Sequence, residues 1–112
     1  QYPLQIDATN EPQPDIIILK PPLERYRDHH PTPQDVLLVI EVSNTTLHTD
    51  RHSKLKLYAH AGIPEYWILN LIKPQLEIYR NPDLEEGRYK EVLTLNEGES
   101  AKPLGFECDV NW

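Results

Sequence analysis

The 112-residue chain reads as one α/β domain, a mixed β-sheet with a single packed helix. Three observations carry that reading. Val36-Leu37-Leu38-Val39-Ile40 is an unbroken apolar run that stops at Glu41, the pattern of a strand covered on both faces. A helical pattern opens near Thr49 and Asp50 and closes at Gly62-Ile63-Pro64. Beyond it, Tyr66-Trp67-Ile68-Leu69 and two further strand-like segments are separated by turn residues.

Residues 1–13 read as a strand end followed by a loop rich in Asn, Glu and Pro. Ile16-Ile17-Ile18-Leu19-Lys20 is the first strand, introduced by Pro14-Asp15. Residues 21–34 hold Pro21, Pro22, Pro31 and Pro33, which remove ladder donors and interrupt helices, so a long irregular loop is expected there. Loops of that length are often functional. The adjacent His29 and His30 read as exposed loop residues rather than a metal site. Ser43-Asn44-Thr45-Thr46 is a turn, and a helix follows from Thr49 or Asp50 to Ala61, with either side chain as N-cap. Gly62 is the left-handed residue that ends it.

Within that helix Leu55, Tyr58, Ala59 and Gly62 fall at helical spacing and form the buried stripe. Lys54 lies at its edge, while Lys56 points elsewhere, because residues two apart do not share a helix face. A crossover through this helix makes the strands at 36–42 and 66–69 parallel. Residues 75–80 alternate polar and apolar, a strand with one wet face, and residues 89–95 complete a meander with it. Residues 96–103 read as loop and 104–112 as a short final segment.

Length allows a modest core in one domain spanning 1–112. No apolar run approaches a membrane span. The lone Cys108 excludes an internal disulfide and fits a reducing, cytoplasmic setting. The chain opens without Met in what reads as mid-domain, so a missing N-terminal part is expected. A strand edge left bare by it would invite pairing into a homodimer. Net charge is −7, against non-specific nucleic-acid binding, which rests on Lys and Arg meeting phosphates. Residues 1–62 carry 8 acidic and 6 basic side chains, residues 63–112 carry 10 and 5. Any phosphate-facing surface therefore belongs to the first half, with Lys20, Arg25, Arg27, Arg51, Lys54 and Lys56 as its candidates.

The chemistry-bearing residues are two carboxylates. Asp15 opens one apolar strand and Glu41 ends another, so antiparallel pairing of those strands brings both to one edge of the sheet. Two converging carboxylates suit Mg²⁺, a hard cation that takes oxygen ligands and keeps several waters. The alternative is that Glu41 simply emerges into solvent where its strand ends.

Gln13-Pro14-Asp15-Ile16, the run from His30 to Ser43, Asp50, Lys54, Tyr58-Ala59 and Gly62-Ile63-Pro64-Glu65-Tyr66-Trp67 together carry a family pattern. The chain resembles the Uma-type restriction endonucleases, a cyanobacterial-type family of the PD-(D/E)XK nuclease superfamily. The resemblance implies a restriction-endonuclease-like fold and Mg²⁺- or Mn²⁺-dependent cleavage of nucleic acid, DNA first. It assigns Asp15 and Glu41 as metal ligands, with the Val42 carbonyl as a third. The superfamily's Lys, expected two residues after Glu41, is replaced by Ser43. Lys54 then stands as its migrated counterpart on the helix, orienting or deprotonating the attacking water. Tyr58 is a core residue whose hydroxyl could reach a site carboxylate, and Asp50 is a cap or an orienting partner of Lys54. The family's N-terminal helix and early strands are expected ahead of Pro14.

Two other function classes remain open. One is a non-catalytic binding or dimerising module that uses Tyr66, Trp67, Tyr79 and Tyr89 as an aromatic interface. The other is a phosphodiesterase acting on a smaller substrate, which the negative net charge would suit.

Overall fold

The computed structural model describes residues 4, 6, 14–44, 49–101, 103–104 and 110–111. Gln13, Thr45, Thr46, Cys108 and most of the expected N-terminal strand end and loop lie outside the described residues. Five strands form one sheet in the order β1-β2-β3-β4-β5: Ile16–Leu19, Val36–Ser43, Glu65–Asn70, Gln75–Asp83 and Arg88–Leu95. β1 runs antiparallel to β2, with Ile16 opposite Ile40 and Ile17 opposite Val39. β2 and β3 are parallel, with Ile40 opposite Trp67, and the helical segment lies in the crossover between them. β3, β4 and β5 form an antiparallel meander. This is the α/β architecture that the strand and helix pattern predicts.

Both faces of β2 are covered, as its unbroken apolar run requires. On the helix-bearing face Val36 and Val39 pack with Tyr58, Ala59, Ile63, Tyr66, Ile68 and Tyr89. Leu4 joins them, fully buried. On the other face Leu38 packs with Trp67, Leu76, Ile78 and Leu95. Each fully buried large side chain contributes about 1.5–3 kcal/mol relative to exposure. Tyr66, Trp67 and Tyr89 are therefore core residues, and the half-buried Tyr79 packs against Tyr66 and Tyr89, which corrects the aromatic-interface reading. The ring centroids of Tyr58 and Tyr66 lie 5.0 Å apart. Polar handles find partners: Tyr89 donates its hydroxyl to the Ile63 carbonyl at 2.7 Å.

The helical segment departs from expectation at its start. Asp50–Lys54 is a π-helical turn, and Leu55–His60, here α1, continues it as α-helix. Thr49 already has helical dihedrals, φ −62° and ψ −43°, and its side chain makes no capping hydrogen bond. Asp50 is engaged elsewhere, as described below. The end is as predicted. Gly62 takes φ +78°, its N–H donates to the Ala59 carbonyl and the Ile63 N–H to the Tyr58 carbonyl, both at 3.1 Å. That pair of bonds is the Schellman arrangement.

Other corrections concern the loops and β4. Residues 21–34 are irregular but enclose two 3₁₀ turns, Leu23–Tyr26 and Pro33–Asp35. The second is closed by Thr32 and Asp35, whose carboxylate accepts the Thr32 N–H at 2.9 Å. These bonds from Thr32, its N–H first, hold the Asp35 carboxyl below its ordinary range against the opposing effect of burial. Residues 96–103 are not all loop, since Ser100–Ala101 (β6) pairs with Val110–Asn111 (β7). The polar face of β4 is not wet at Glu77, which is buried where the π-helical turn crosses over it.

Gly62→Ala isolates the cost of the left-handed residue. A methyl group there would meet Leu84 no closer than 3.6 Å, an ordinary contact, so backbone strain dominates. Urea denaturation should show a loss of about 1–2 kcal/mol. An unchanged midpoint would mean that the turn does not hold the helix end.

Candidate active site

The β1–β2 register sets Asp15 beside Glu41. Ile16 faces Ile40, so Asp15, the residue before β1, meets Glu41, the next residue along β2. Two hydrogen bonds join them. The Asp15 N–H donates to Glu41 Oε1 at 3.1 Å, and the Val42 N–H donates to Asp15 Oδ2 at 2.8 Å. A strand residue sends its N–H and C=O toward the same neighbour, so the Val42 carbonyl also faces the Asp15 side. Asp15 is exposed, whereas Glu41 is 2% exposed. Glu41 therefore does not emerge into solvent. It lies inside β2, on the face that the helix covers.

The helix supplies its other partners. Lys54 Nζ lies 3.2 Å from Glu41 Oε2 and 3.2 Å from Asp50 Oδ1. Tyr58, one turn further, donates its hydroxyl to Glu41 Oε2 at 3.3 Å. Asp50 is 1% exposed. Its Oδ2 accepts a hydrogen bond from the Ser43 hydroxyl, and its backbone carbonyl accepts the Tyr66 hydroxyl at 3.0 Å. Of the two roles open to Asp50, the structure gives the one beside Lys54 and not the cap. Tyr58 combines both of its expected roles, with its ring in the core and its hydroxyl on a carboxylate. All seven predicted residues, Asp15, Glu41, Val42, Ser43, Asp50, Lys54 and Tyr58, thus stand in one connected cluster.

Charge states follow from burial and partners. Desolvation raises the Glu41 carboxyl above its ordinary range, against the pull of the Asp15 N–H and of Lys54. Burial acts to lower Lys54, yet Glu41 and Asp50 outweigh it and hold the ammonium above its usual value. Desolvation, then the Glu41 charge, push Tyr58 upward, so its hydroxyl stays a neutral donor.

The donor set for a metal is all oxygen: the carboxylates of Asp15 and Glu41 and the carbonyl of Val42. Such a set fits Mg²⁺ or Mn²⁺, which accept one or two carboxylates and fill the remaining positions with water. Among the described residues no group of three or more His, Cys, Asp or Glu side chains is placed to hold a metal ion. His29 and His30 are exposed in their loop, as expected.

The predicted basic residues divide. Lys20, Arg25 and Arg27 are exposed at the far end of β1 and in the loop after it. At about 3.3 Å per residue, Lys20 stands roughly 16 Å from Asp15 along the strand. Arg51 is held by Glu77, which sequence reasoning missed. Its Nε donates to both Glu77 oxygens at 3.0 Å and its Nη2 to Oε2. The available signal was the i, i+2 spacing of Glu77 and Tyr79, which places them on one face of β4 beside the core tyrosines.

Glu41→Gln tests the burial argument. A carboxyl raised by burial binds its proton more readily when folded, so its contribution to stability is largest in acid and is lost as pH rises through the folded value. At neutral pH the ionised Glu41 therefore costs stability. The Gln variant should melt at higher temperature near pH 7, and its advantage should vanish as pH falls to the ordinary glutamate range. A lower melting temperature at pH 7 would show that the charge of Glu41 stabilises the fold.

The family model described as "Putative restriction endonuclease" (Uma2) matches residues 1–111. No match is found among curated proteins. Among the described residues no helix is long and apolar enough to cross a membrane. The five-stranded mixed sheet with its packed helix is consistent with a restriction-endonuclease-like fold. By a match over nearly its whole length, the chain belongs to the Uma2 family of restriction-endonuclease-like proteins.

Proposed function

We propose that this domain hydrolyses phosphodiester bonds of nucleic acid, with Asp15 and Glu41 as ligands of a divalent cation and Lys54 as its catalytic cation. One observation carries the reading. A buried carboxylate in a strand, an exposed carboxylate on the neighbouring strand and a lysine from the crossover helix converge at one edge of the sheet. A structural ion pair needs no second carboxylate beside it with a strand carbonyl turned the same way.

When bound, Mg²⁺ or Mn²⁺ would neutralise charge on the scissile phosphate and lower the pKa of a coordinated water. The chain's own residues do the rest. Asp15 presents its carboxylate outward, fixed by the Val42 N–H. Tyr58 and the Asp15 N–H keep the Glu41 carboxylate in place, one on each oxygen. Lys54, paired with Glu41 and Asp50, stays an ammonium; it orients the attacking water and stabilises negative charge developing on the phosphoryl oxygens. Of the two roles that the resemblance offers Lys54, orienting the water suits it better than removing the water's proton, because Glu41 and Asp50 both favour its ammonium form.

The rival reading rests on the same cluster. Glu41 is paired by Lys54, Tyr58 and the Asp15 N–H, an arrangement complete enough to be kept for folding alone. A cleavage assay separates the two. With Mg²⁺ or Mn²⁺ and duplex DNA, single-stranded DNA and RNA as substrates, Lys54→Ala should lower the rate by about 10²–10³-fold. Mn²⁺ binding, followed by calorimetry, should persist in that variant and be lost in Asp15→Asn. Lys90→Ala, exposed on β5, serves as the control. Equal rates for the Lys54 and Lys90 variants, or no metal uptake by the wild type, would leave the non-catalytic reading standing.

A further inference from the structure

Arg51 and Glu77 take no part in the chemistry above, yet they are built with equal care. Glu41 faces Ile68 across β2 and β3, and Ile68 faces Glu77 across β3 and β4. The two glutamates therefore share the helix-bearing face, two strand spacings or about 10 Å apart. The Glu77 side chain is only 5% exposed and accepts the Tyr79 hydroxyl at 2.5 Å, as well as Nε and Nη2 of Arg51. Arg51 itself is 42% exposed. A guanidinium offers five donors, and those on Nη1 lie outside its bonds to Glu77. Beside it opens a cleft of about 440 Å³, lined by Arg51, His52, Ser53 and Lys56, with Glu86 also on its wall.

We propose that this cleft binds a phosphodiester of the substrate strand one or two nucleotides from the bond that is cut, with Arg51 as the geometric contact and Lys56 as the unburied charge. The proposal rests on the nuclease reading and adds the course of the strand to it. A guanidinium clamped along one edge has little rotamer freedom left to lose, and its planar fork matches phosphate oxygens. Glu77 offsets much of the charge of Arg51, so Arg51 acts chiefly as an aimed donor, while the exposed Lys56 adds the electrostatic pull. Arg51 stands three residues before Lys54, on the same helical segment, so the cleft and the proposed catalytic cation keep a fixed separation. Glu86 limits the net positive charge, which suits one phosphodiester rather than a polyanion tract. It also explains how a chain of net charge −7 could hold nucleic acid locally.

The test is binding without cleavage. Fluorescence anisotropy of a labelled duplex and a labelled single strand is followed in EDTA over a range of salt concentrations. Lys56→Ala should weaken binding several-fold on every sequence and lower the slope of log K against log salt by about one. Glu86→Lys should strengthen binding and steepen the slope. Arg51→Ala alone leaves Glu77 buried without its cation and is liable to unfold. The paired change Arg51→Leu with Glu77→Leu keeps an apolar, filled site and should weaken binding several-fold while melting like the wild type. Lys90→Ala should bind as the wild type does. If the wild type cuts DNA while the Lys56 and Glu86 variants bind with unchanged affinity and slope, the cleft is not on the strand's path and the nuclease reading survives. If the wild type neither binds nor cuts any nucleic acid, both readings fall together.

Discussion

A charge stands inside β2 where the strand is covered on both sides, and much of the molecule is arranged around it. An isolated ionised carboxylate so placed costs several kcal/mol. Donors from three other elements offset part of that cost for Glu41: a backbone N–H from the start of β1, an ammonium from the π-helical turn and a phenol from α1. Each donor constrains its element. β1 must pair in the register that sets Asp15 beside Glu41. The crossover must bring Lys54 and Tyr58 down over the same face, one turn apart. The core tyrosines then serve two ends, since Tyr66 packs against Tyr58 and also holds the Asp50 carbonyl. Packing and site are one structure here, so a cavity opened at Tyr58 or Tyr66 would loosen the carboxylate cluster as well as the core.

Much of this was legible in the chain. An apolar run such as Val36 to Ile40 needs cover on both faces, and a chain this short can supply it only from a helix on one side and its own remaining strands and loops on the other. Gly62 followed by Pro64 ends a helix for reasons local to those residues. The parallel pairing of β2 with β3 follows from the handedness of a short crossover. The convergence of Asp15 with Glu41 needed one further assumption, that β1 and β2 are antiparallel neighbours, and the register bears it out.

What stayed hidden depended on tertiary partners. Asp50 has the composition of a cap, but its carboxylate is drawn inward by Ser43 and Lys54, and the turn it opens widens to π geometry, a feature often found at functional sites. Glu77 sits in an alternating strand that looks half-wetted, and the overlying Arg51, with the Tyr79 hydroxyl, offsets the cost of its burial. Neither outcome can be read from local propensity, because each depends on a side chain from another element. The same holds for Tyr79, whose hydroxyl serves Glu77 while its ring packs near Tyr66.

The position two residues after Glu41 shows how the substitution of one site residue can be absorbed. In the superfamily pattern that position carries a lysine, directed from the strand toward the metal ligands. Here it holds Ser43, fully buried, whose hydroxyl donates to Asp50. Asp50 in turn fixes Lys54, four residues along, and Lys54 reaches Glu41. In the proposed reading the catalytic cation stands on the helix instead of the strand, and the strand position helps to hold it. That chain of contacts constrains Lys54 more tightly than a strand lysine with free rotamers would be. It also keeps Lys54 protonated, since two carboxylates share its ammonium. On the proposed nuclease reading, a cation so held contributes charge and position rather than basicity, and the proton of the attacking water would leave through another acceptor.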